Sequence, residues 1–335
     1  MSKATIEDVA LLANVSVSTA DRVLNARGGV NPDKEHRVLD AARRLKIDRI
    51  LSRSHARTMR IAVLIQAATN PFHAALRDGF ATANTTYADV NLQFLIHHID
   101  PNLPHRTAAV IAKAGIRYDG LIVTSPGGPI IVEALRHVAA MIPVVTLATD
   151  ISDSGRHVYV GPDDRQAGRV AGDLMGRFLG SAGGDVLMIA GLLTIAGHRE
   201  REAGFRAVLE EHYPRCCLVA VLESREEAER AAQLVGSALD KMVGLRGIYH
   251  ASVGAEAIVL ELSQSERSDI VFITHELTED RRALLKARAI HAVVDQNAST
   301  EAYVAAKTMA QLLGRLEGEP FNTITPVQIF TSENS

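Results

Sequence analysis

From Ile61 onward the chain repeats one unit, a short unbroken apolar run followed by a stretch with helical spacing. Ile61-Ala62-Val63-Leu64-Ile65 is the first run, and others recur at 92–96, 120–123, 144–147, 186–189, 218–222, 247–249, 270–273 and 292–294. Runs this short and this apolar read as parallel strands covered on both faces. The segments between them, beginning with a helix from His73 to about Thr86, are rich in Ala, Leu, Arg and Glu, so the expected architecture is α/β with right-handed crossovers. Nine or so strands fit two sheets better than one, and a second series starting near Asp163 sets the lobe boundary. With 47% hydrophobic and 22% charged residues the composition is globular. No signal-like segment and no stretch of about 20 apolar residues sends it to a membrane. The two cysteines, Cys216 and Cys217, are adjacent, a poor arrangement for a structural disulfide, and a cytoplasmic protein is expected.

The first sixty residues differ in charge and rhythm. They hold 12 Lys or Arg against 7 Asp or Glu, although the whole chain carries −3. A basic head on an acidic body suggests that only the head meets a polyanion. Thr5 and Asp8 have capping-box spacing for a first helix with Ile6, Val9, Ala10 and Ala13 on its buried stripe. Asn14 stands at a sharp turn. Ser16 caps a second helix, from Val17 to about Asn25, with Ala20, Val23 and Leu24 inward. Pro32 opens a third that runs to about Leu45. The pattern is a helix-turn-helix, with Val17, Ser18, Asp21 and Arg22 on the outward side of its second helix. Arg22 suits a bidentate contact with guanine and Val17 a thymine methyl, while Ser16 and Thr19 suit phosphate oxygens. A protein-binding or packing module of three short helices is the alternative reading.

The wording of this region resembles the opening of the lactose-repressor family of bacterial regulators. The matching residues are Ala4-Thr5-Ile6-Glu7-Asp8-Val9-Ala10, Val15-Ser16-Val17-Ser18-Thr19, Arg22-Val23-Leu24-Asn25 and Val38-Leu39-Asp40-Ala41-Ala42. The resemblance implies that Val17, Ser18 and Arg22 read bases, and that Thr5, Ser16, Thr19 and Asn25 contact phosphates. Asp21 replaces a common Ser, where it either holds Arg22 or repels a phosphate, and Asn14 replaces the usual turn glycine. Residues 46–60 are basic but lack the family's Pro-Asn pair. Leu51 there is either the family's minor-groove wedge or a residue packed on the third helix, and Arg49, Arg53 and Arg57 suit phosphates.

The body resembles the periplasmic sugar-binding fold that this family uses as its sensor. Asn70-Pro71-Phe72-His73, Arg201-Glu202-Ala203-Gly204-Phe205 and Asp295-Gln296 carry that likeness. It implies a cleft in which Phe72 stacks on a sugar ring while Arg201, Asp295 and Gln296 bond its hydroxyls. Asp150 and His275-Glu276 end strands and are expected to complete the wall. Each has an ordinary structural reading too: Phe72 as core, Arg201 as a surface ion pair, Asp295 as a helix cap. No G-x-G-x-x-G follows a strand, and neither a P-loop, G-x-S-x-G nor H-E-x-x-H occurs. His97, His98 and His198 read as packed or solvated imidazoles, so no catalytic residue, cofactor or metal is expected.

The expectation is therefore a helix-turn-helix domain at 1–45, a basic hinge or linker at 46–60, and a two-lobed, mainly parallel α/β domain at 61–335. Family crossings near Pro162-Asp163, Gln296-Asn297 and Ile324-Thr325 assign 61–162 and 297–323 to lobe 1, and 163–296 and 324–335 to lobe 2. The implied function is a DNA-binding regulator, most often a repressor, that binds a palindromic duplex operator as a homodimer. With no heptad tail before Ser335, a tetramer is not expected. A small sugar, polyol or sugar acid would control it. A carbohydrate-binding protein without a regulatory role and a sugar-metabolising enzyme are the competing classes.

Overall fold

Capping and a narrow apolar stripe build the head from α1 (Ile6–Leu12), α2 (Val17–Leu24) and α3 (Pro32–Arg44). The computed structural model describes residues 4–25, 27, 29–45, 57–267 and 269–335. Thr5 and Asp8 complete both halves of the expected capping box, with Asp8 N donating to Thr5 Oγ1 and Thr5 N to Asp8 Oδ2. Asn14 takes the left-handed conformation, φ 53°, which Asn reaches more readily than most side chains. Ser16 Oγ then accepts from Thr19 N at 3.1 Å and starts α2. Val9, Ala10, Ala13, Ala20, Val38, Ala41 and Ala42 form the head's core. These small side chains let the three helices approach closely. Leu51, with Arg49 and Arg53, lies outside the described residues.

The body carries the strands β1 (Met59–Ile65), β2 (Leu92–His98), β3 (Gly120–Val123), β4 (Val144–Leu147) and β5 (Val158–Pro162), then β6 (Gly184–Ala190), β7 (Cys216–Glu223), β8 (Leu245–Ala251), β9 (Val271–His275) and β10 (Ala292–Asp295), and lastly β11 (Thr323–Thr325) and β12 (Gln328–Phe330). They form two six-stranded sheets, ordered β11-β5-β4-β3-β1-β2 and β12-β10-β9-β8-β6-β7. β12 is antiparallel to β10, whereas β11 lies parallel to β5. The chain leaves the first sheet after β5, returns after β10, stays through Thr325 and ends in the second sheet.

Each expected run is a strand, but β5 and β11, which pair with each other, were not anticipated. Gly161-Pro162 closes β5 and two threonines flank Ile324 in β11, so neither shows a long apolar run. Position in the sheet, not composition, makes them strands. By contrast Ile61 to Ile65 are wholly buried, each such large side chain contributing about 1.5–3 kcal/mol.

Helices cover the faces: α4 (Pro71–Thr86), α5 (Pro104–Arg117) and α6 (Pro129–Ala139) follow strands of the first sheet, α7 (Asp164–Leu179) crosses from β5 to pack on β8, β9 and β10, and α8 (Ala196–His212), α9 (Ala228–Lys241), α10 (Ala255–Gln264) and α11 (Glu279–Lys286) follow strands of the second. α12 (Ala298–Leu312) returns to pack on α4, β4 and β5. Helices α7 and α8 touch backbone to backbone. A Cβ at Gly168 would lie 2.0 Å from the Arg201 carbonyl oxygen, and one at Gly204 2.0 Å from that of Arg165. Two glycines thus bring Arg201 on α8 beside Asp164 on α7. No helix among the described residues is long and apolar enough to cross a membrane.

Candidate functional sites

On the head, α2 turns Ala20 into the core and leaves Ser16, Val17, Ser18 and Arg22 exposed. Val17 is 48% exposed, so an apolar methyl pair stands in water at the start of the helix. The Ser16 and Thr19 hydroxyls are 2.8 Å apart, and either can turn a lone pair or proton outward. Thr5 and Asn25 are exposed but engaged: Thr5 Oγ1 donates to Asp8 Oδ2 at 2.9 Å, and Asn25 Nδ2 to Asp21 Oδ1 at 2.6 Å. Thr5 holds the Asp8 carboxyl below its usual range, chiefly through its backbone N–H. Asp21 also receives Arg27 Nη1 at 3.1 Å. Its charge therefore has a partner other than a phosphate.

In the body, loops at the carboxyl ends of both sheets enclose a cavity of about 70 Å3. The first lobe lines it with Gln66 after β1, Asn70 and Phe72 at the start of α4, Thr124 and Ser125 after β3, and Thr149 after β4. Asn70 Oδ1 accepts from Phe72 N at 3.1 Å, fixing the turn into α4 and the place of the ring. His73 accepts from Gln66 N through Nδ1. Burial pushes its pKa down to about 3 and the neighbouring His98 adds to this, so it stays neutral.

The second lobe supplies the charge. Arg201 Nε donates to Asp164 Oδ1 at 2.8 Å and Nη2 to Gln296 Oε1 at 3.2 Å, with Nη1 3.7 Å from Glu276 Oε1. Burial opposes its charge, but Asp164 and Glu276 outweigh burial and raise its pKa. Gln296 Nε2 donates to Glu276 Oε1 at 2.8 Å, so a chain of Asp164, Arg201, Gln296 and Glu276 crosses the cavity wall. Burial pushes Glu276 up to about 8 and Glu226 up to about 7. His275 is bonded through Nε2 to the Tyr249 hydroxyl at 2.6 Å, and burial holds its pKa well below the usual value. Arg281 donates to Thr278 Oγ1 and to the Ser252 carbonyl. Hydrogen bonds cross between the lobes around the cavity, among them Asn70 Nδ2 to Glu226 Oε2 at 3.1 Å, Gly197 N to Thr149 Oγ1 at 3.0 Å and Gly127 N to the Thr194 carbonyl at 3.0 Å.

Of the residues expected in the cleft, Phe72, Arg201, His275, Glu276 and Gln296 line the cavity, whereas Asp150 and Asp295 do not. Asp150 is taken by Arg156, whose Nη2 lies 2.6 Å from Oδ2, and by Thr146. Asp295 is the last residue of β10 and accepts from Leu277 N at 2.9 Å, while strand alternation turns the next side chain, Gln296, into the cavity. Glu226, Arg281, Thr149 and His198 also line it and were not anticipated. Glu226 and Thr149 closely follow strand ends, the position from which α/β sheets commonly present ligand-binding groups. That rule could have found them.

A model of the periplasmic binding protein domain matches residues 61–319, and one of bacterial regulatory proteins of the lacI family matches residues 5–46. Catabolite control protein A of Priestia megaterium is 26% identical over 211 residues, 62% of this chain and 61% of that protein. The ribose import binding protein of Salmonella typhimurium is 27% identical over 45% of this chain and 50% of its own length. The chain thus matches half to three-fifths of the length of these two relatives. An ABC transporter solute binding protein from Burkholderia graminis, solved in complex with D-arabinose, superposes with a TM-score of 0.77 at 24% identity, over 83% of this chain and 97% of that one. That likeness concerns the fold. The chain belongs to the periplasmic binding protein domain family through residues 61–319 and, with the lacI-family region ahead of it, is of the LacI/GalR regulator type with a periplasmic-binding-like sensor domain.

Proposed function

We propose that the protein is a sequence-specific DNA-binding transcriptional regulator, a repressor, that binds a palindromic duplex operator as a homodimer and responds to a small polyhydroxylated effector held between the lobes of its sensor. In this reading residues 1–45 are the DNA-binding head, 46–60 the link, and 61–335 the sensor and dimerisation domain, with the lobes at 61–162 plus 297–323 and 163–296 plus 324–335. The observation that carries it is the exposed start of α2, where Val17, Ser18 and Arg22 project while Ala20 anchors the helix from behind. Val17 and Ser18 would meet base edges, Arg22 a guanine, and Ser16, Thr19, Thr5 and Asn25 the phosphates. The engagement of Asn25 with Asp21 makes its phosphate contact the weakest of the set.

The effector reading rests on Phe72 as an apolar plate and on Arg201, held by Asp164 and Gln296 in a fixed fork. Preorganised donors of this kind suit ligand hydroxyls, which must be paired once buried. The names of relatives, a ribose import protein and a D-arabinose complex, support the same class. An effector controls operator affinity only if it binds one lobe arrangement more tightly than another, and the bonds from Asn70 to Glu226 and from Gly197 to Thr149 give the closed arrangement contacts of its own.

The test is binding-site selection on random duplex DNA, followed by titration of the selected site and its single-base variants at fixed salt. Arg22→Ala should remove about 1–3 kcal/mol of discrimination at one base pair in each half-site. Unchanged specificity in the variant would overturn the assignment.

A further inference from the structure

The cavity wall and the groups paired with it hold four carboxyls, Asp164, Asp280, Glu226 and Glu276, against the guanidiniums of Arg201 and Arg281. Arg201 is bonded to Asp164 and also lies 3.7 Å from Glu276 Oε1. Arg281 donates to Thr278 Oγ1 at 2.9 Å and to the Ser252 carbonyl at 2.7 Å, and has Asp280 at 3.9 Å. Arg201 is thus shared between Asp164 and Glu276, and no Lys or Arg side chain makes an ion pair with Glu226 among the described residues. Glu276 Oε2 is buried, faces no hydrogen-bond donor, and belongs to a residue only 9% exposed that lines the cavity. Its other oxygen is held by Gln296. Glu226 is met by neutral groups, Asn70 Nδ2 at 3.1 Å and Ser252 Oγ at 3.3 Å, with the buried His198 Nε2 at 3.9 Å. The lining from the first lobe adds no charge, since His73 is neutral.

The approach to the cavity has the same sign. A groove of about 760 Å3 between the lobes is walled by Asp100, Glu227, Glu229 and Glu256, with Arg225 as the countercharge among them and Asp280 beside Arg281. Such a mouth lowers the local concentration of anions and raises that of cations. We propose that the effector of this cleft is a polyhydroxylated amine, an amino sugar or amino polyol, whose ammonium lies against Glu276 and Glu226. This rests on the cleft reading above and deepens it. An ammonium offers three donors and no acceptor, which suits the open Glu276 oxygen and the Glu226 carboxyl. A sugar acid or sugar phosphate would instead add a third anion. Arg281 Nε, also buried without a hydrogen-bond partner, is served by a ligand hydroxyl oxygen.

The chemistry has a proton signature. Burial raises Glu276 to about 8, with Asp295 and Asp164 adding to this and Arg201 and Arg281 opposing it. Burial raises Glu226 to about 7 against Ser252, Arg201 and Arg281. Glu301, beside Glu276, is raised as well, by burial and then by Glu276 itself. The unliganded site therefore holds protons near neutral pH that an ammonium must displace, so binding releases protons and tightens as pH rises from 6 until the amine itself begins to lose its proton, at about 7.7–8.0 for an α-amino group.

The experiment is titration calorimetry on the full chain with three matched sets: D-glucose, D-glucosamine and D-gluconate; D-galactose, D-galactosamine and D-galactonate; myo-inositol and its amino-deoxy analogue. In at least one set the amine should bind on the order of tenfold tighter than its neutral parent, as expected of one charge-assisted hydrogen bond. It should release protons, seen as a dependence of the heat on the buffer, and Glu276→Gln should erase the preference while leaving thermal unfolding intact. A neutral or acidic member that binds as tightly as its amine, or a preference that survives in both Glu276→Gln and Glu226→Gln, overturns the inference. If that neutral binder is weakened by Phe72→Leu, the cleft reading stands and only the charge assignment falls. If no member of any set binds, both fall together.

Discussion

The two lobes of the sensor are built alike and lined differently. Their sheets share one strand order apart from the direction of the last strand. Both present their cavity groups in the same way, from the loops and helices that follow the carboxyl ends of strands. Yet the first lobe offers neutral amides, hydroxyls and one aromatic plate, while the second offers Arg201, Arg281, Glu226 and Glu276. The scaffold follows from apolar runs, which are nearly interchangeable. The chemistry follows from a few side chains in the loops and helices after each run, which are not. A ligand would thus be recognised chiefly by the second lobe and covered by the first.

The sharpest way to break this contrast is Arg201→Ala. Arg201 is 5% exposed and its partner Asp164 7%, so the variant leaves a buried carboxylate without its cation. The full chain should lose about 3–5 kcal/mol in denaturant unfolding, and effector binding should disappear. An unaltered unfolding midpoint would show that the charged wall is not structural. Phe72→Leu probes the neutral lobe. It keeps apolar volume but removes the ring face, so effector affinity should fall by roughly 0.5–1.5 kcal/mol with no change in the preference among charged and neutral ligands. A shift in that preference would mean that the first lobe also selects by charge. Asp295→Ala should do least to binding. It deletes one hydrogen bond to Leu277 N, worth about 0.5–1.5 kcal/mol of stability, and calorimetry should find effector affinity nearly unchanged. A collapse of binding would restore Asp295 to the cavity.

The head was legible almost residue by residue because its determinants are local. Thr5 with Asp8, Asn14, and Ser16 with Thr19 act within a few residues of each other, so spacing along the chain is also spacing in the fold. In the body the runs from Ile61 to Val294 announced strands for the same reason. β5 and β11 did not, because Gly161, Pro162, Thr323 and Thr325 become strand residues only through the neighbour each finds across the sheet. The cavity shows the limit most plainly. Phe72, Arg201, His275 and Gln296 stand in it and Asp150 does not, because Arg156 lies six residues away in the chain and claims the carboxylate.

By itself, the sequence determined the class of fold, the division into a basic helical head and an α/β body, and the strand ends from which binding groups emerge. Only the tertiary structure decided which of those groups face one another. Asp164 and Arg201 are 37 residues apart, Gln296 and Arg201 95, and Asn70 and Glu226 156. Such pairs depend on helix contacts like that of Gly168 with the Arg201 backbone and on which sheet face a side chain takes. Burial then sets their charge, since a carboxyl in a loop and a carboxyl in a closed cavity are the same letter in a sequence but differ in how much water surrounds them.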